Sequence, residues 1–207
     1  MNRDRKSFLT EKRNEILQAS TKVFVKKGFF QTQMEDIARE AGIAKGTIYL
    51  YFKSKEELFC SFFENIFEQS LLDIEKIKNI SCNAIEKIKM VIKNQLEFCQ
   101  KNIDLFIMID REFRHMEKTL RMVHAQKIMK KYEKIIYSIS EIIGQGIKEK
   151  LIKKIDPILI SFILIDMVKS TVLKNVKFKT KKDLIAQMPT ILEIFLNGVG
   201  MEKKQHG

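Results

Sequence analysis

Residues 28–58 of the chain read GFFQTQMEDIAREAGIAKGTIYLYFKSKEEL. Gly28 follows Lys26 and Lys27, the pattern of a helix that stops at a residue free to adopt positive φ while two cations complement its carboxyl end. Thr32-Gln33-Met34-Glu35 has the spacing of a capping box and opens a short helix expected to end near Ala41. Gly42 supplies a tight turn, and a second short helix is expected from about Lys45 to Tyr51. Ser54-Lys55-Glu56-Glu57 repeats the capping spacing and starts a much longer helix. Met34, Ile37, Ala38, Ala41, Ile43, Ile48 and Phe52 then fall inward, while Lys45, Gly46, Thr47, Tyr49 and Tyr51 fall outward.

Working outward, residues 10–27 place Ile16, Leu17, Ser20, Val23 and Phe24 on one helical face. The long helix after Ser54 carries Leu58, Phe59, Phe62, Phe63, Ile66, Phe67, Ser70 and Leu71, a stripe wide enough to touch two layers. Breaks are expected near Ser81, at Lys101-Asn102 and over 113–118, and in the run 117–151 Gly144 and Gly146 mark a kink or a fraying end. Asp156-Pro157 reads as a restart, with Asp as the cap and Pro in the first helical position. The last helix is expected after Thr180 and to close at Gly198, with Pro189 bending or shortening it. With 2 Pro and 8 Gly among 207 residues the elements must be long, and the periodicity is helical throughout. The expected fold is all-α, with about nine helices.

The formal charge is +12, which favours polyanionic partners. Residues 1–55 hold 12 Lys/Arg against 6 Asp/Glu, and the remaining 152 hold 26 against 20, so charge density is nearly three times higher at the N-terminal end. Cys60, Cys82 and Cys99 form no CxxC pair and sit among apolar residues, as buried reduced thiols do. The charged start lacks the apolar run of a secretory signal, and the longest apolar stretch, 157–165, is too short to span a bilayer. A cytoplasmic protein without a membrane partner is expected. Residues 148–154 are basic, but they read as the end of a packed helix.

Two short helices joined by a Gly turn and braced by a preceding helix form the pattern of a helix-turn-helix, here over residues 33–52. Gly46 in the first turn of the second helix is costly in a free helix, yet lets a DNA backbone approach closely. The segment resembles the DNA-binding domain of the tetracycline-repressor (TetR/AcrR) family. The resemblance is carried by Gly28, Thr32, Asp36-Ile37-Ala38, Ala41-Gly42-Ile43, Gly46-Thr47-Ile48-Tyr49, Phe52 and Ser54-Lys55-Glu56, with Leu58 following. It covers about residues 10–60 and fades after about residue 70. One departure is Ala44, where the family has a Ser that caps the recognition helix.

The resemblance implies a basic N-terminal arm (1–9) whose Arg3, Arg5 and Lys6 add phosphate or minor-groove contacts. It implies a DNA-binding domain (10–70) and a C-terminal ligand-binding and dimerisation domain (71–207). Thr32 and the helix start at Gln33 would meet phosphate through backbone N–H groups, and Lys55 would clamp another phosphate. Lys45 and Thr47 would reach base edges in the major groove, with Gly46 giving clearance and Tyr49 and Tyr51 contacting phosphate and lining the groove. Thr32 and Ser54 would also serve as caps without any DNA, and Tyr49 as a half-buried core aromatic.

For the C-terminal domain the family implies a homodimer through the last two helices, about 157–177 and 181–198, which sets two recognition helices on a palindromic operator. The chain supports this independently: 157–168 is apolar nearly all round, and Leu184, Met188, Ile191, Leu192, Phe195 and Val199 recur at helical spacing. Candidate residues for a small apolar or amphipathic effector are Phe63, Phe67, Phe98, Phe106, Asp110, Arg111, Phe113, Met122, Tyr137 and Asp166, with Met108 beside them. A Phe/Met stripe also fits a plain core. An acid there would select a cationic drug-like ligand, an Arg a carboxylate or fatty acyl-CoA, and Asp166 with Lys169 also fits a surface ion pair. His115 and His124 with Glu112 and Glu117 lack a recognised metal-ligand spacing, so no metal or cofactor is expected.

The sequence therefore points to a DNA-binding transcription regulator, a repressor released by its effector, rather than an enzyme. No nucleophile-base set or phosphate loop is present. The alternative is an effector-independent, nucleoid-organising protein of the same fold.

Overall fold

The computed structural model describes residues 2–108, 125–178 and 183–200. These residues are helical: α1 (Asn2–Lys27), α2 (Met34–Glu40), α3 (Lys45–Ile48), α4 (Lys55–Lys78), α5 (Ala84–Lys101), α6 (described over 103–108), α7 (Ala125–Lys148), α8 (Pro157–Lys177) and α9 (Met188–Val199). Among them the sole extended pairing is an antiparallel bridge between Ile152 and Gly200. The expected arm is not separate, because the backbone of 2–9 is helical and continuous with α1.

The chain divides into two compact units, Met1–Ile66 with Asp104–Met129, and Phe67–Ile103 with Lys130–Gly207. The division falls inside α4, between Ile66 and Phe67. Leu105 and Met108 of α6 are buried in the core of the first unit, although they lie within the stretch expected as the C-terminal domain.

The first unit is built on Phe24, Phe29, Phe52 and Phe59, each at most 2% exposed. Phe59 meets Phe24 and Phe29 edge-on at 5.2 and 4.9 Å, the approach that aromatic quadrupoles favour. Ile16 and Leu17 of α1, Ile37 and Ala38 of α2 and Ile48 of α3 fill the same core. Arg13 ties α1 to α4, donating to Ser61 Oγ at 2.8 Å while lying 4.5 Å over the Phe52 ring. Gly28 (φ +82°) closes α1 and Gly42 (φ +63°) makes the turn after α2, conformations that a Cβ would strain.

In the second unit α5 packs on both α8 and α9. Its start is capped by Asn83 Oδ1, which accepts from the Glu86 N–H, and Glu149 accepts from the Ala84 N–H. Buried Lys87 donates to the Lys78 carbonyl at the end of α4 and to Gln145 Oε1 of α7. α7 runs unbroken through Gly144 and Gly146, so neither marks a kink; a Cβ on Gly146 would come within 2.6 Å of the Ile152 side chain. Asp156 caps α8 as expected, accepting from the Ile158 N–H at 2.9 Å. Pro189 shortens the last helix: a 3-10 turn (Ile185–Gln187) precedes it and Pro189 sits in the first turn of α9. Cys60 and Cys99 are buried, and burial pushes their thiols up to about 11 and about 12. Among the described residues no helix is long and apolar enough to cross a membrane.

Candidate nucleic-acid interface

The α2–turn–α3 unit is held by charges as well as by its core. The Asp36 carboxylate accepts from Lys27 Nζ and from the Arg39 guanidinium, both at 2.7 Å, and from the Gln33 backbone N–H at 3.1 Å. The Lys27 hydrogen bond, then that from the Gln33 N–H, holds this carboxyl below the ordinary aspartate value. α2 thus begins one residue later than the capping spacing indicated, with Gln33 as cap and Asp36 as the acid reaching back. Glu35, expected to close that box, pairs with Lys45 of α3 instead.

Thr32 is fully buried, its hydroxyl donating to the Gly28 carbonyl at 2.6 Å and its N–H to the Phe29 carbonyl at 3.3 Å. The Gln33 N–H is taken by Asp36. The backbone donors of Thr32 and Gln33 are therefore satisfied inside the protein. Lys55 is placed similarly: its ammonium donates to the carbonyls of Phe29 (2.7 Å), Phe30 (3.3 Å) and Thr32 (2.9 Å), 4.5 Å over the Phe29 ring. An ammonium has three protons to give, and all three point at the α1–α2 loop. Sequence spacing placed Thr32 and Lys55 beside the interface but not the direction in which their donors point; both hold the loop that starts α2. Ser54 caps α4 as expected, accepting from the Glu57 N–H, and Glu57 accepts from the Lys53 N–H.

α3 is a single turn. Beyond Ile48 the chain keeps winding through i to i+3 bonds, Leu50 N–H to Thr47 O and Tyr51 N–H to Ile48 O, rather than as the longer helix expected to Tyr51. Lys45, Gly46 and Tyr49 of the outward set predicted from sequence are exposed, and Thr47 is half-buried. Tyr51 leans onto the core and is only partly available. A Cβ built on Gly46 meets no described atom within 4 Å, so the protein's own packing does not demand glycine there.

Of the effector candidates, Phe63 packs edge-on against Phe59 at 4.9 Å in the first unit, where Phe106 is half-buried. In the second unit Phe67 lies 6.1 Å from Tyr132, and Phe98 is half-buried. Tyr137 is 57% exposed, because Ile135, Ile136 and Ile139 take the inward face of α7. Asp166 is also exposed, 3.2 Å from Lys169 at the rim of an open groove of about 510 Å³ between α8 and α9. Neither Tyr137 nor Asp166 lines an internal cavity as expected. Asp110, Arg111, Phe113 and Met122, with His115, His124, Glu112 and Glu117, lie outside the described residues. Leu159, Phe162, Ile163 and Leu173 of α8 and Ile194 of α9 are 40–60% exposed, an apolar surface on the two helices expected to dimerise.

Residues 16–61 match the family model described as bacterial regulatory proteins, tetR family, and residues 81–173 that of a tetracyclin repressor-like C-terminal domain. The fatty acid metabolism regulator protein of Bacillus subtilis (strain 168) is 31% identical over 186 residues, 89% of this chain and 94% of that protein. The crystal structure of the transcriptional regulator FadR from Bacillus subtilis in complex with stearoyl-CoA is similar with a TM-score of 0.78 and 29% identity, covering 89% of this chain and 97% of that one. The fatty acid degradation regulator FadR from Bacillus halodurans is similar with a TM-score of 0.78 and 25% identity, over 90% and 95%.

Proposed function

Because the chain belongs to the tetR family of bacterial regulatory proteins, DNA-binding transcription regulators rather than enzymes, we propose that its operator is palindromic and its effector a long-chain fatty acyl-CoA. The observation that carries the effector is the likeness, across nearly the whole chain, to a regulator whose structure holds stearoyl-CoA. The effector-independent alternative is not favoured by that relative.

In this reading Lys45 and Thr47 meet base edges, Gly46 lets the groove wall approach, and Tyr49 with the accessible part of Tyr51 contacts phosphate and sugar. The exposed Gln33 side chain is the phosphate contact at the α2 end, while Thr32 and Lys55 keep the loop in shape. The apolar face of α8 and α9 pairs with a second copy, which fixes the spacing of two recognition helices. The effector binds within the second unit, through Phe67 and Phe98. It favours a head separation that no longer fits adjacent half-sites.

The test is release of a labelled operator duplex on titration with stearoyl-CoA, followed by fluorescence polarisation. Release by stearoyl-CoA, with coenzyme A and stearate inert, is expected. A complex indifferent to acyl-CoAs of every chain length would contradict the effector assignment while leaving operator binding intact.

A further inference from the structure

Lys45 opens α3 under awkward conditions. The residue before it, Ala44, has no side-chain oxygen to cap the helix, and a cation at a helix N-terminus faces the positive end of the peptide dipoles. Glu35, on the outer side of α2, supplies a carboxylate to that cation. The pairing raises the Lys45 ammonium and lowers the Glu35 carboxyl from their ordinary values. Both side chains are half exposed or more, so the tie contributes little to the fold and stands open to competition from outside. It also sets a negative charge on a surface that meets a polyanion, which costs affinity for any duplex.

We propose that Glu35 is a specificity-determining residue: it holds Lys45 in the free protein and competes with DNA for it, so that Lys45 is given up to a base edge but not to phosphate. This rests on the reading of Lys45 as a base-contacting residue. A phosphate offers Lys45 an anionic oxygen much like the carboxylate it leaves, and Glu35 then repels that phosphate, so the exchange gains nothing. A guanine edge offers two acceptors, O6 and N7, without a formal charge to repel. Glu35 therefore weakens non-operator binding more than operator binding, and widens the ratio between them.

The experiment measures binding of an operator duplex and a scrambled duplex of equal composition, across salt concentrations, for the wild-type protein, Glu35→Gln, Lys45→Ala and the double variant. Glu35→Gln is expected to tighten scrambled-duplex binding by about two- to fivefold and to steepen its salt slope by about one. The operator is expected to gain less, and the effect to disappear when Lys45 is Ala. Three outcomes overturn the proposal: an unchanged affinity ratio, a selective loss of operator binding (Glu35 itself then reads a base), or an equal gain in the Lys45→Ala background. If Lys45→Ala leaves operator affinity untouched, the reading of Lys45 fails and this inference with it; if Lys45→Ala weakens the operator while Glu35→Gln is inert, the inference alone fails. Far-ultraviolet circular dichroism of each variant separates these effects from loss of folding.

Discussion

Lys55 separates two accounts of one side chain. The motif marks it as a cation at the start of α4, and a cation near DNA reads as a phosphate clamp; in the fold its ammonium donates to the carbonyls of Phe29, Phe30 and Thr32 instead. Lys55→Met keeps the stem and removes the donors, and is expected to lower stability by about 1–3 kcal/mol, read by urea unfolding, with Lys55→Arg failing to restore it because a planar guanidinium does not match three converging carbonyls. Unchanged stability with a uniform loss of DNA affinity would return Lys55 to the role of clamp. Asp36 makes the companion case. Its carboxyl is depressed in the folded state, chiefly by Lys27, so its stabilising contribution is present above the ordinary aspartate range and fades as pH falls through the depressed value. Asp36→Asn is therefore expected to cost about 1 kcal/mol at neutral pH and nothing once both proteins are below that value; a cost that persists at low pH would point to packing instead.

The helices were legible where punctuation was local. Gly28, Gly42, Asp156-Pro157 and the Ser54 cap each act within a few residues of themselves, and each boundary lies where the sequence placed it. The departures have more than one cause. Gly146 does not kink α7 but lies in its last turn, and its contacts there, Ile152 and Ala84, cannot be seen in a helical window. The length of α3 was overestimated because the apolar pattern continues past Ile48 while the backbone has already tightened. Gly46 gives the sharpest test of α3. Nothing described crowds it, so Gly46→Ala is expected to stabilise the domain by about 0.5–1 kcal/mol and yet weaken operator binding, measured by thermal unfolding and polarisation on one preparation. Tighter or equal binding would mean that the glycine gives no clearance to DNA.

Two such heads become an operator reader only when a second copy fixes their spacing, and in the proposed reading the exposed apolar residues on α8 and α9 are the surface that does so. Their exposure was readable in outline, since 157–168 is apolar nearly all round and one chain's core can cover only one side of it. The effector site was not readable to the same degree: Phe and Met fill cores and line cavities alike, and Tyr137 and Asp166 turned out to face outward. Leu159→Glu with Ile194→Glu is expected to yield a folded monomer by sedimentation velocity, with operator affinity reduced about a hundredfold or more through lost bivalency; a double variant that stays dimeric would place the interface elsewhere. Selection from a pool of random duplexes tests the helix-turn-helix reading most directly. The expected result is an enriched palindrome with two half-sites about one helical turn apart, or a multiple of that, its preference blurred by Thr47→Ala. Recovery of no palindrome, or the same preference from Thr47→Ala and Lys45→Ala as from the wild type, would contradict it.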